Sequence, residues 1–370
     1  MAEYLFTQGV SVLLDKPVAL ERVCEKLDVF FGRVVDEPPC ENGALYVLES
    51  PEEDDVSEEI ERPAYLIVVA SEQPWPDELG DPEAEPEAFH DWSLGLYGPL
   101  AFPGCLQRAV ERSWIVPDVS PQASQHTAHV RLLIGYPMVP PVGDPAKQDE
   151  SDSDSDDIEM ILDTREMIEE QYDPSEELRV LARAISTVLE IPASIAYFNP
   201  GGEVLKDSDS LRTLLNEAWV KDSVPIKAWM NVRLFEIEDD WTLMDTVGNG
   251  QVEIPDLEAV FKTDRYGSGD IEAMLRAWTH RMIEDVESDL TEGDTVDGPD
   301  GSTWTVMECH DGLADPPRQT IRLVPSDGDT PPETLLYRGE GPEDIDDGDI
   351  DIDDSDWDWM DGDADDEAPF

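Results

Sequence analysis

Basic residues are scarce in this sequence, and their scarcity excludes one large class of function. The chain has 370 residues, with 88 Asp and Glu against 24 Lys and Arg, which gives a formal net charge of -64 at pH 7. Binding to a nucleic-acid backbone depends on clusters of Lys and Arg that neutralise phosphates. We therefore expect no direct nucleic-acid binding, and we expect a macromolecular partner to be a basic protein.

Paired cysteines and long apolar runs are also missing. The four cysteines, Cys24, Cys40, Cys105 and Cys309, are scattered with no CxxC pair. The first residues, MAEYLFTQG, carry no basic region followed by an apolar stretch and a cleavage site. The longest apolar runs, such as residues 65–70, are too short to cross a bilayer. These absences predict a cytoplasmic protein with reduced thiols and no contact with a membrane.

Familiar catalytic and metal-binding motifs are absent as well. The sequence has no GxSxG, no Walker loop and no GxGxxG after a predicted strand, so most familiar enzyme classes lose support. His126 and His129 form an HxxH pair, but the segment is typical of the start of a strand, and no third ligand is indicated. The Asp-rich runs lack the spacing and turn glycine of an EF-hand. We therefore predict no catalytic residue, no cofactor and no metal site.

A regular apolar pattern between residues 227 and 261 predicts an antiparallel meander. Apolar residues recur at every second position in residues 228–235 and again in 241–247, which is the period of a strand with one face in a core. Gly248-Asn249-Gly250 then turns the chain. The pattern therefore predicts three consecutive antiparallel strands.

The remaining segments predict an α+β protein. Strands are predicted at residues 10–14, 45–48, 65–70, 128–134, 194–198, 303–307 and 320–324. Helices are predicted within residues 17–31, 98–113, 174–189, 210–219 and 271–286. We expect mainly antiparallel sheets with helices packed on one face, in two halves of similar size.

Two acidic segments divide the chain. The first segment combines prolines with an Asp/Ser repeat, and the second is a run of Asp and Glu near the end of the sequence. Neither segment can bury enough apolar surface to offset the entropy that is lost when a chain becomes ordered. We predict an N-terminal α+β half at residues 1–143, a disordered acidic linker at 144–172, a C-terminal α+β half at 173–327 and a disordered acidic tail at 328–370.

Charged residues on and beside the meander form the candidate functional site. Arg233, Asp245, Asp256 and Glu258 could converge as carboxylates with a cationic partner, a combination that acid–base chemistry uses. Carboxylates at strand ends are more often solvated or capping groups. We therefore favour a non-enzymatic, protein-binding role, and an enzyme of unknown class that uses this cluster is the alternative. Convergence in one pocket would favour the enzyme, and separate solvent faces would exclude it.

The acidic tail offers a second candidate site. Residues 343–367 contain 15 acidic side chains, and Trp357 and Trp359 lie among them. A purely solvated coat does not need two indoles, so the combination predicts a docking tail for a cationic partner. The acidity alone also fits a solubility coat or adaptation to high salt.

Several short motifs in a fixed order resemble a known family. They are Trp229, Thr246-x-Gly248, Asp256-Leu257-Glu258 and Gly293-Asp294-Thr295. Together with weaker likenesses between residues 5 and 325, they are similar to the bacterial family catalogued as domain of unknown function 4261. The resemblance implies that family's fold and a bacterial origin, and it supplies no catalytic residue. The Asp/Ser linker and the acidic tail depart from the family's pattern.

Overall fold

Two β-sheets with packed helices form the described part of the chain, which confirms the predicted α+β class. Among the described residues, no helix is long and apolar enough to cross a membrane. The predicted acidic linker and the tail beyond residue 336 lie outside the described residues. The computed structural model describes residues 4–34, 42–48, 64–82, 84–137, 173–237, 240–284, 290–309, 312–328 and 330–336.

The first sheet is antiparallel and is built around its longest strand. Its strands are β1 (Tyr4–Leu14), β2 (Gly32–Val34), β3 (Gly43–Val47), β4 (Tyr65–Ser71), β5 (Ala128–Pro137), β6 (Ser194–Asn199) and β7 (Val204–Lys206). They follow the order β2-β3-β4-β5-β1-β6-β7. β1 lies between β5 and β6, and its last seven residues are all buried. A strand buried on both faces reads as a nearly continuous apolar run, which is why VSVLL was visible in the sequence.

The first sheet crosses the predicted boundary between the two halves. β6 and β7 follow the linker in the sequence, yet β6 pairs with β1, placing Phe198 opposite Ser11 and Ala196 opposite Leu13. The first sheet therefore draws strands from both sides of the linker, and the change from one sheet to the other comes after β7.

Helices lie on both faces of the first sheet. The helices are α1 (Leu20–Leu27), α2 (Pro86–Ser93), α3 (Cys105–Glu111), α4 (Ser120–Ala123), α5 (Pro174–Val188), α6 (Ser208–Lys221), α7 (Ile226–Trp229) and α8 (Ser268–Glu284). α1 and α5 share a core with Val12 of β1, whereas α3 and α4 share another with Leu13, the next residue. Asp173 caps α5 as its sequence predicts, because its carboxylate accepts a hydrogen bond from the Glu176 backbone N–H at 3.0 Å.

The second sheet contains the predicted meander. Its strands are β8 (Asn231–Glu236), β9 (Trp241–Val247), β10 (Asp256–Lys262), β11 (Thr295–Asp297), β12 (Thr303–Cys309) and β13 (Thr320–Pro325). The order is β11-β12-β13-β10-β9-β8, with β8, β9 and β10 antiparallel and β10 parallel to β13. α8 covers one face, where Leu275 shares a core with Met244 and Leu257.

The junction between the two sheets differs from the predicted strand at residues 227–230. Residues 226–229 form the helical turn α7, and the Trp229 carbonyl accepts hydrogen bonds from the amides of Asn199 (3.0 Å) and Gln251 (2.8 Å). Gly248 has φ +113°, and a Cβ there would lie 2.6 Å from Gly202 Cα. Glycine is therefore required where these loops cross.

Regular packing continues into the predicted tail. Glu333–Leu335 form a 3-10 turn, and Leu335, only 5% exposed, shares a small core with Trp241 and Leu243. The acidic composition of residues 328–370 as a whole masked this short apolar segment in the sequence, and the first residues of the predicted tail are therefore part of the fold.

We predict that cleavage of the linker leaves the two halves associated. β1 pairs with β6, and the Trp114 N–H donates to the Val232 carbonyl at 2.8 Å, so backbone hydrogen bonds join the halves at both sheets. A specific protease site inserted within residues 149–157 allows the test. The cleaved protein should elute at the size of the uncleaved control and unfold in one thermal transition. Fragments that separate in native buffer would contradict the prediction.

A buried carboxyl attaches α5 to the first sheet. Glu177 is 7% exposed, and it accepts hydrogen bonds from the hydroxyls of Thr7 (2.7 Å) and Tyr136 (2.8 Å). Burial raises the pKa of Glu177 to about 7, although both hydrogen bonds act in the opposite direction. The folded protein therefore favours the protonated form of this side chain.

We predict that Glu177→Gln stabilises the protein increasingly as pH rises. Because the pKa of Glu177 is higher in the folded than in the unfolded chain, its contribution to stability is present at low pH and is lost as pH rises through 7. Glutamine imitates the protonated form. The gain in free energy of unfolding should grow from under about 1 kcal/mol at pH 5 to about 3 kcal/mol at pH 8. Urea denaturation measures it, with the exposed Glu176→Gln as control. A gain that does not change with pH would refute the prediction.

Candidate functional site

A row of four charged side chains crosses the second sheet on the face opposite α8. Arg233 of β8 lies opposite Asp245 of β9, Asp245 lies opposite Glu258 of β10, and Glu258 lies opposite Arg322 of β13. Directly opposed residues of neighbouring strands project from the same face. All four residues are 0% exposed. We call these four residues the charged row.

Each end of the charged row is an arginine–carboxylate pair. Arg233 donates from Nε and Nη2 to the two Asp245 oxygens, at 3.0 and 2.5 Å. Arg322 donates from Nε and Nη2 to Oε2 of Glu258, at 3.0 and 2.8 Å. Charge-assisted pairs of this geometry are the strong ones in proteins. The two carboxylates occupy the middle of the row, and each has an arginine on its outer side.

Arg318 connects the charged row with a third carboxylate. It donates to Asp245 Oδ2 at 2.5 Å and to Asp256 Oδ2 at 2.9 Å. Asp256 also accepts from the Thr246 hydroxyl (2.9 Å) and from the Asn249 backbone N–H (3.1 Å). Arg318 lies in the loop before β13, so this loop is bound to the end of the meander.

A fourth carboxylate, Glu203, links the row to the first sheet through two arginines. Arg233 Nη1 donates to Glu203 Oε2 at 3.1 Å, and Arg108 of α3 donates to Glu203 Oε1 at 2.5 Å. Glu203 lies in the turn between β6 and β7 and is 1% exposed. Ion pairs thus join six residues, and the pair of Glu258 with Arg322 lies beside them because Glu258 is opposite Asp245. We call all eight residues the ion network: Arg108, Glu203, Arg233, Asp245, Asp256, Glu258, Arg318 and Arg322.

The loop of residues 312–318 closes over the ion network. The Leu313 backbone N–H donates to Glu258 Oε1 at 2.6 Å, and Arg233 Nη1 donates to the Asp315 carbonyl at 2.7 Å. Arg318 donates to the carbonyls of Ala314 and Pro316, each at 2.9 Å. Side chains of the network thus satisfy the backbone of the loop that covers them.

Burial and ion pairing have opposite effects on the carboxylates of the network. Burial alone would raise the pKa of Asp245, but the guanidinium groups of Arg233 and Arg318 hold it below its usual value. For Asp256 and Glu258, burial outweighs the arginines, and the pKa of each is raised. The pKa of Glu203 is raised for the same reason.

A small cleft reaches the edge of the ion network. Leu100, Phe102 and Pro200 line it together with Glu203, Asp256 and Arg318 of the network, and its volume is about 60 Å³. Clefts that hold small molecules usually have volumes of about 300–1,000 Å³. The carboxylates next to the cleft are already hydrogen-bonded to arginines, so the arrangement is suited to holding loops and strands together.

The structure brings the four predicted carboxylate-site residues together and adds four that sequence reasoning missed. Ion pairs link Arg233, Asp245 and Asp256 through Arg318, and Glu258 lies opposite Asp245 in its own pair with Arg322. Trp357 and Trp359 lie outside the described residues. The missed residues are Arg108, Glu203, Arg318 and Arg322. Of these, Arg322 carries a visible signal, a charge inside an otherwise apolar strand, TIRLV.

The HxxH histidines hydrogen-bond to one neighbouring loop. His126 Nε2 accepts from the Trp75 backbone N–H at 2.6 Å, and His129 Nδ1 donates to the Gln73 carbonyl at 3.0 Å. Burial, assisted by the charge of Arg131, lowers the pKa of His129 to about 3, so this ring is neutral at pH 7. Among the described residues, no group of three or more His, Cys, Asp or Glu side chains could hold a metal ion.

The fold and the site define an α+β protein whose second sheet is organised by buried ion pairs. Residues 245–324 match the model of a protein family described as Domain of unknown function (DUF4261), which confirms the resemblance found in the sequence. Neither the curated proteins nor the solved structures contain a match to the chain. The matched segment includes Asp245, Asp256, Glu258, Arg318 and Arg322, which are five of the eight residues of the ion network.

We predict that removing one member of the charged row destabilises the protein strongly. Arg322→Met leaves the Glu258 carboxylate buried without its arginine, which should cost about 3–5 kcal/mol of unfolding free energy. The double variant Arg322→Met with Glu258→Leu removes both charges and should recover most of that loss. Urea denaturation at pH 7 measures all three proteins.

An exposed pair gives the control for this experiment. Arg212 contacts Asp209 at 3.1 Å with both side chains more than half exposed, and Arg212→Met should change stability by less than about 1 kcal/mol. If Arg322→Met behaved like Arg212→Met, the charged row would not organise the sheet.

Proposed function

We propose that this protein is a non-enzymatic module that binds a basic protein through an acidic surface. The observation that carries the proposal is the neutrality of the ion network. Its carboxylates Glu203, Asp245, Asp256 and Glu258 face an equal number of arginines. The full formal charge of -64 therefore belongs to groups outside the network, where it attracts cationic partners.

An exposed apolar pair supports the choice of a protein as partner. Trp219 and Val220, at the end of α6, are 82% and 83% exposed, and the acidic side chains of Glu217 and Asp222 near them are exposed too. Tryptophan is enriched in protein interfaces, where its ring supplies short-range contact. The tail has the same combination in its sequence, where Trp357 and Trp359 lie among carboxylates. The carboxylates would attract a cationic partner at long range, and the indoles would supply direct contact.

We also propose that the protein acts in a bacterial cytoplasm. Cys24, Cys105 and Cys309 are free thiols, and the first two are buried. Unpaired thiols fit a reducing compartment. The family resemblance supports the bacterial origin.

The alternative is an enzyme that uses the carboxylates beside the small cleft. The raised pKa values of Glu203 and Asp256 favour this alternative, because a catalytic acid needs such a shift. The proposed binding role is supported better, because both carboxylates already accept hydrogen bonds from arginines. A small molecule whose thermal stabilisation of the protein disappears in Asp256→Asn, with the fold intact, would favour the enzyme.

We predict that capture of a basic partner depends on the tail and on Trp219. Three forms of the protein serve as bait in lysate of the source organism: the full chain, a chain ending at Leu336, and Trp219→Ser. The full chain should enrich proteins of high isoelectric point at about 0.1 M salt and lose them at about 1 M, where the screening length falls from ~10 to ~3 Å. Titration of the captured partner should show weaker binding to both variants.

The melting temperature of each variant shows whether the substitution has unfolded the protein. Val29→Ser is the matched control for Trp219→Ser, because Val29 is another exposed apolar residue. Partners that are acidic, or that bind equally at both salt concentrations, would refute the proposed function. Equal binding by the full chain and the truncated chain would limit the role of the tail to solubility.

A further inference from the structure

One buried carboxyl stands apart from the ion network. The acidic side chains that are buried in the described part of the chain are Glu177, Glu203, Asp245, Asp256 and Glu258. The last four each form an ion pair with at least one arginine. Glu177 forms no ion pair within the described residues, and both of its hydrogen-bond partners are uncharged hydroxyls. Its charge, when present, is therefore buried without a counter-charge.

This carboxyl fastens the first turn of α5 to two strands of the first sheet. Glu177 accepts hydrogen bonds from Thr7 of β1 and from Tyr136 of β5, and these two strands pair with each other. The later turns of α5 are held by apolar packing instead, since Leu181 and Ile185 are fully buried in the core. The first turn can therefore open while the rest of the helix stays in place, at a lower cost than unfolding of the whole protein.

The hydrogen bonds of Glu177 suit both protonation states, but burial favours only one of them. In the ionised state the Thr7 hydroxyl donates to Oε2 at 2.7 Å. In the protonated state Oε2–H can donate to Thr7, whose own proton then faces the Ile134 carbonyl at 3.5 Å. The ionised state removes a charge from water with no cation to replace the hydration, which is unfavourable. The attachment of the turn is therefore stronger when Glu177 carries a proton.

The strands and the turn that pack on α5 bring no other charge to Glu177. On β5, His129 and Arg131 lie an odd number of residues from Tyr136, so they project from the opposite face of the sheet. On β1, Tyr4 packs against Tyr65. The 3-10 turn of residues 249–252, which also contacts α5, has no titratable side chain.

The titratable groups of the neighbouring helices are paired with one another or lie near the other end of α5. Lys26 of α1 pairs with Glu190, just beyond the last turn of α5, and Arg212 of α6 pairs with Asp209. On α5 itself, Asp173 is close enough for its charge to oppose ionisation of Glu177. The remaining titratable side chains of α1, α5 and α6 are Glu21, Arg22, Cys24, Glu25, Glu176, Arg179, Arg183, Glu217 and Lys221.

We propose that Glu177 is a proton-controlled latch that holds the first turn of α5 against β1 and β5. The protonated carboxyl keeps the turn closed. Loss of the proton favours an open turn, in which the carboxylate reaches water. Leu178 and Tyr136, which are 1% and 4% exposed in the closed form, become accessible when the turn opens. The latch thus controls access to an apolar part of the first sheet.

The working range of the latch follows from the acidity of Glu177. Burial raises its pKa to about 7 in the closed form, whereas a hydrated carboxyl in the open turn keeps the ordinary value of about 4.5. A group with a raised pKa stabilises the closed form fully below the ordinary pKa, and this contribution is lost as pH rises to 7. Opening therefore becomes more favourable from mildly acid to neutral pH, and it changes little at higher pH.

Hydrogen exchange of the full chain, followed by mass spectrometry between about pH 5.5 and about pH 8.5, tests the proposal. Dividing each rate by that of an unstructured chain at the same pH gives a protection factor free of the intrinsic pH effect. Protection of residues 177–180 should fall about tenfold between about pH 5.5 and about pH 7 and then level off. Protection of residues 184–188, in the last turn of α5, should stay constant over the same range.

Three variants separate the latch from a merely structural contact. Glu177→Gln should keep high protection of the first turn at every pH, because glutamine imitates the protonated form. Glu176→Gln changes an exposed neighbour and should behave like the unmodified protein. Thr7→Val removes a hydrogen bond that favours the ionised form, so protection should level off at a higher pH.

Two results would overturn the proposal. The first is a protection of the first turn that is independent of pH, or that depends on pH equally in the unmodified protein and in Glu177→Gln. The second is a loss of protection along the whole of α5 together, since the opening would then not be confined to the turn that Glu177 fastens.

Discussion

The pairing of Arg233, Asp245, Glu258 and Arg322 across four strands is the interaction on which the second sheet depends. Side chains alternate between the faces of a strand, so a slip of one residue in any of these strands would turn its charge toward the core under α8. The charged row therefore fixes the register of β8, β9, β10 and β13 at once. It makes the parallel contact between β10 and β13 specific, a contact that apolar residues alone would leave less well defined.

Arginines of the ion network also hold together parts of the chain that are distant in sequence. Arg233 reaches Glu203 in the turn between β6 and β7, and Arg318 binds Asp245 and Asp256 of the meander. Buried ion pairs contribute little net stability compared with apolar substitutes, but an unpaired member is strongly destabilising. Specificity of assembly is thus the physical role that best explains why this acidic chain buries several of its few basic residues.

The sequence predicted the elements whose pattern is local and missed the contacts that join distant segments. The alternation of apolar and polar residues in 231–247 was sufficient to predict the meander, and Asp173 as a capping residue was sufficient to predict the start of α5. Nothing local shows that β6 pairs with β1 or that β10 is parallel to β13. Arg318 lies in an irregular loop, so no periodicity marked it. The convergence of Arg233, Asp245, Asp256 and Glu258 was predictable because they lie on consecutive strands of the meander, whereas Arg318 and Arg322, which also pair with these carboxylates, come from a distant part of the sequence.

The contrast between Arg322 and Lys206 separates a charge that the fold pairs with a carboxylate from one that it leaves without an ion pair. Both are basic residues on strands, yet Arg322 has a carboxylate partner within the sheet, and Lys206 has none among the described residues. In natural proteins, local propensity, packing and charge pairing usually favour the same structure, and the exceptions are expected at functional or strained sites. The partly buried amine of Lys206 is such an exception in a chain with 88 acidic residues. The ion network therefore explains how the fold is specified, whereas no contact in the described part of the chain explains the position of Lys206.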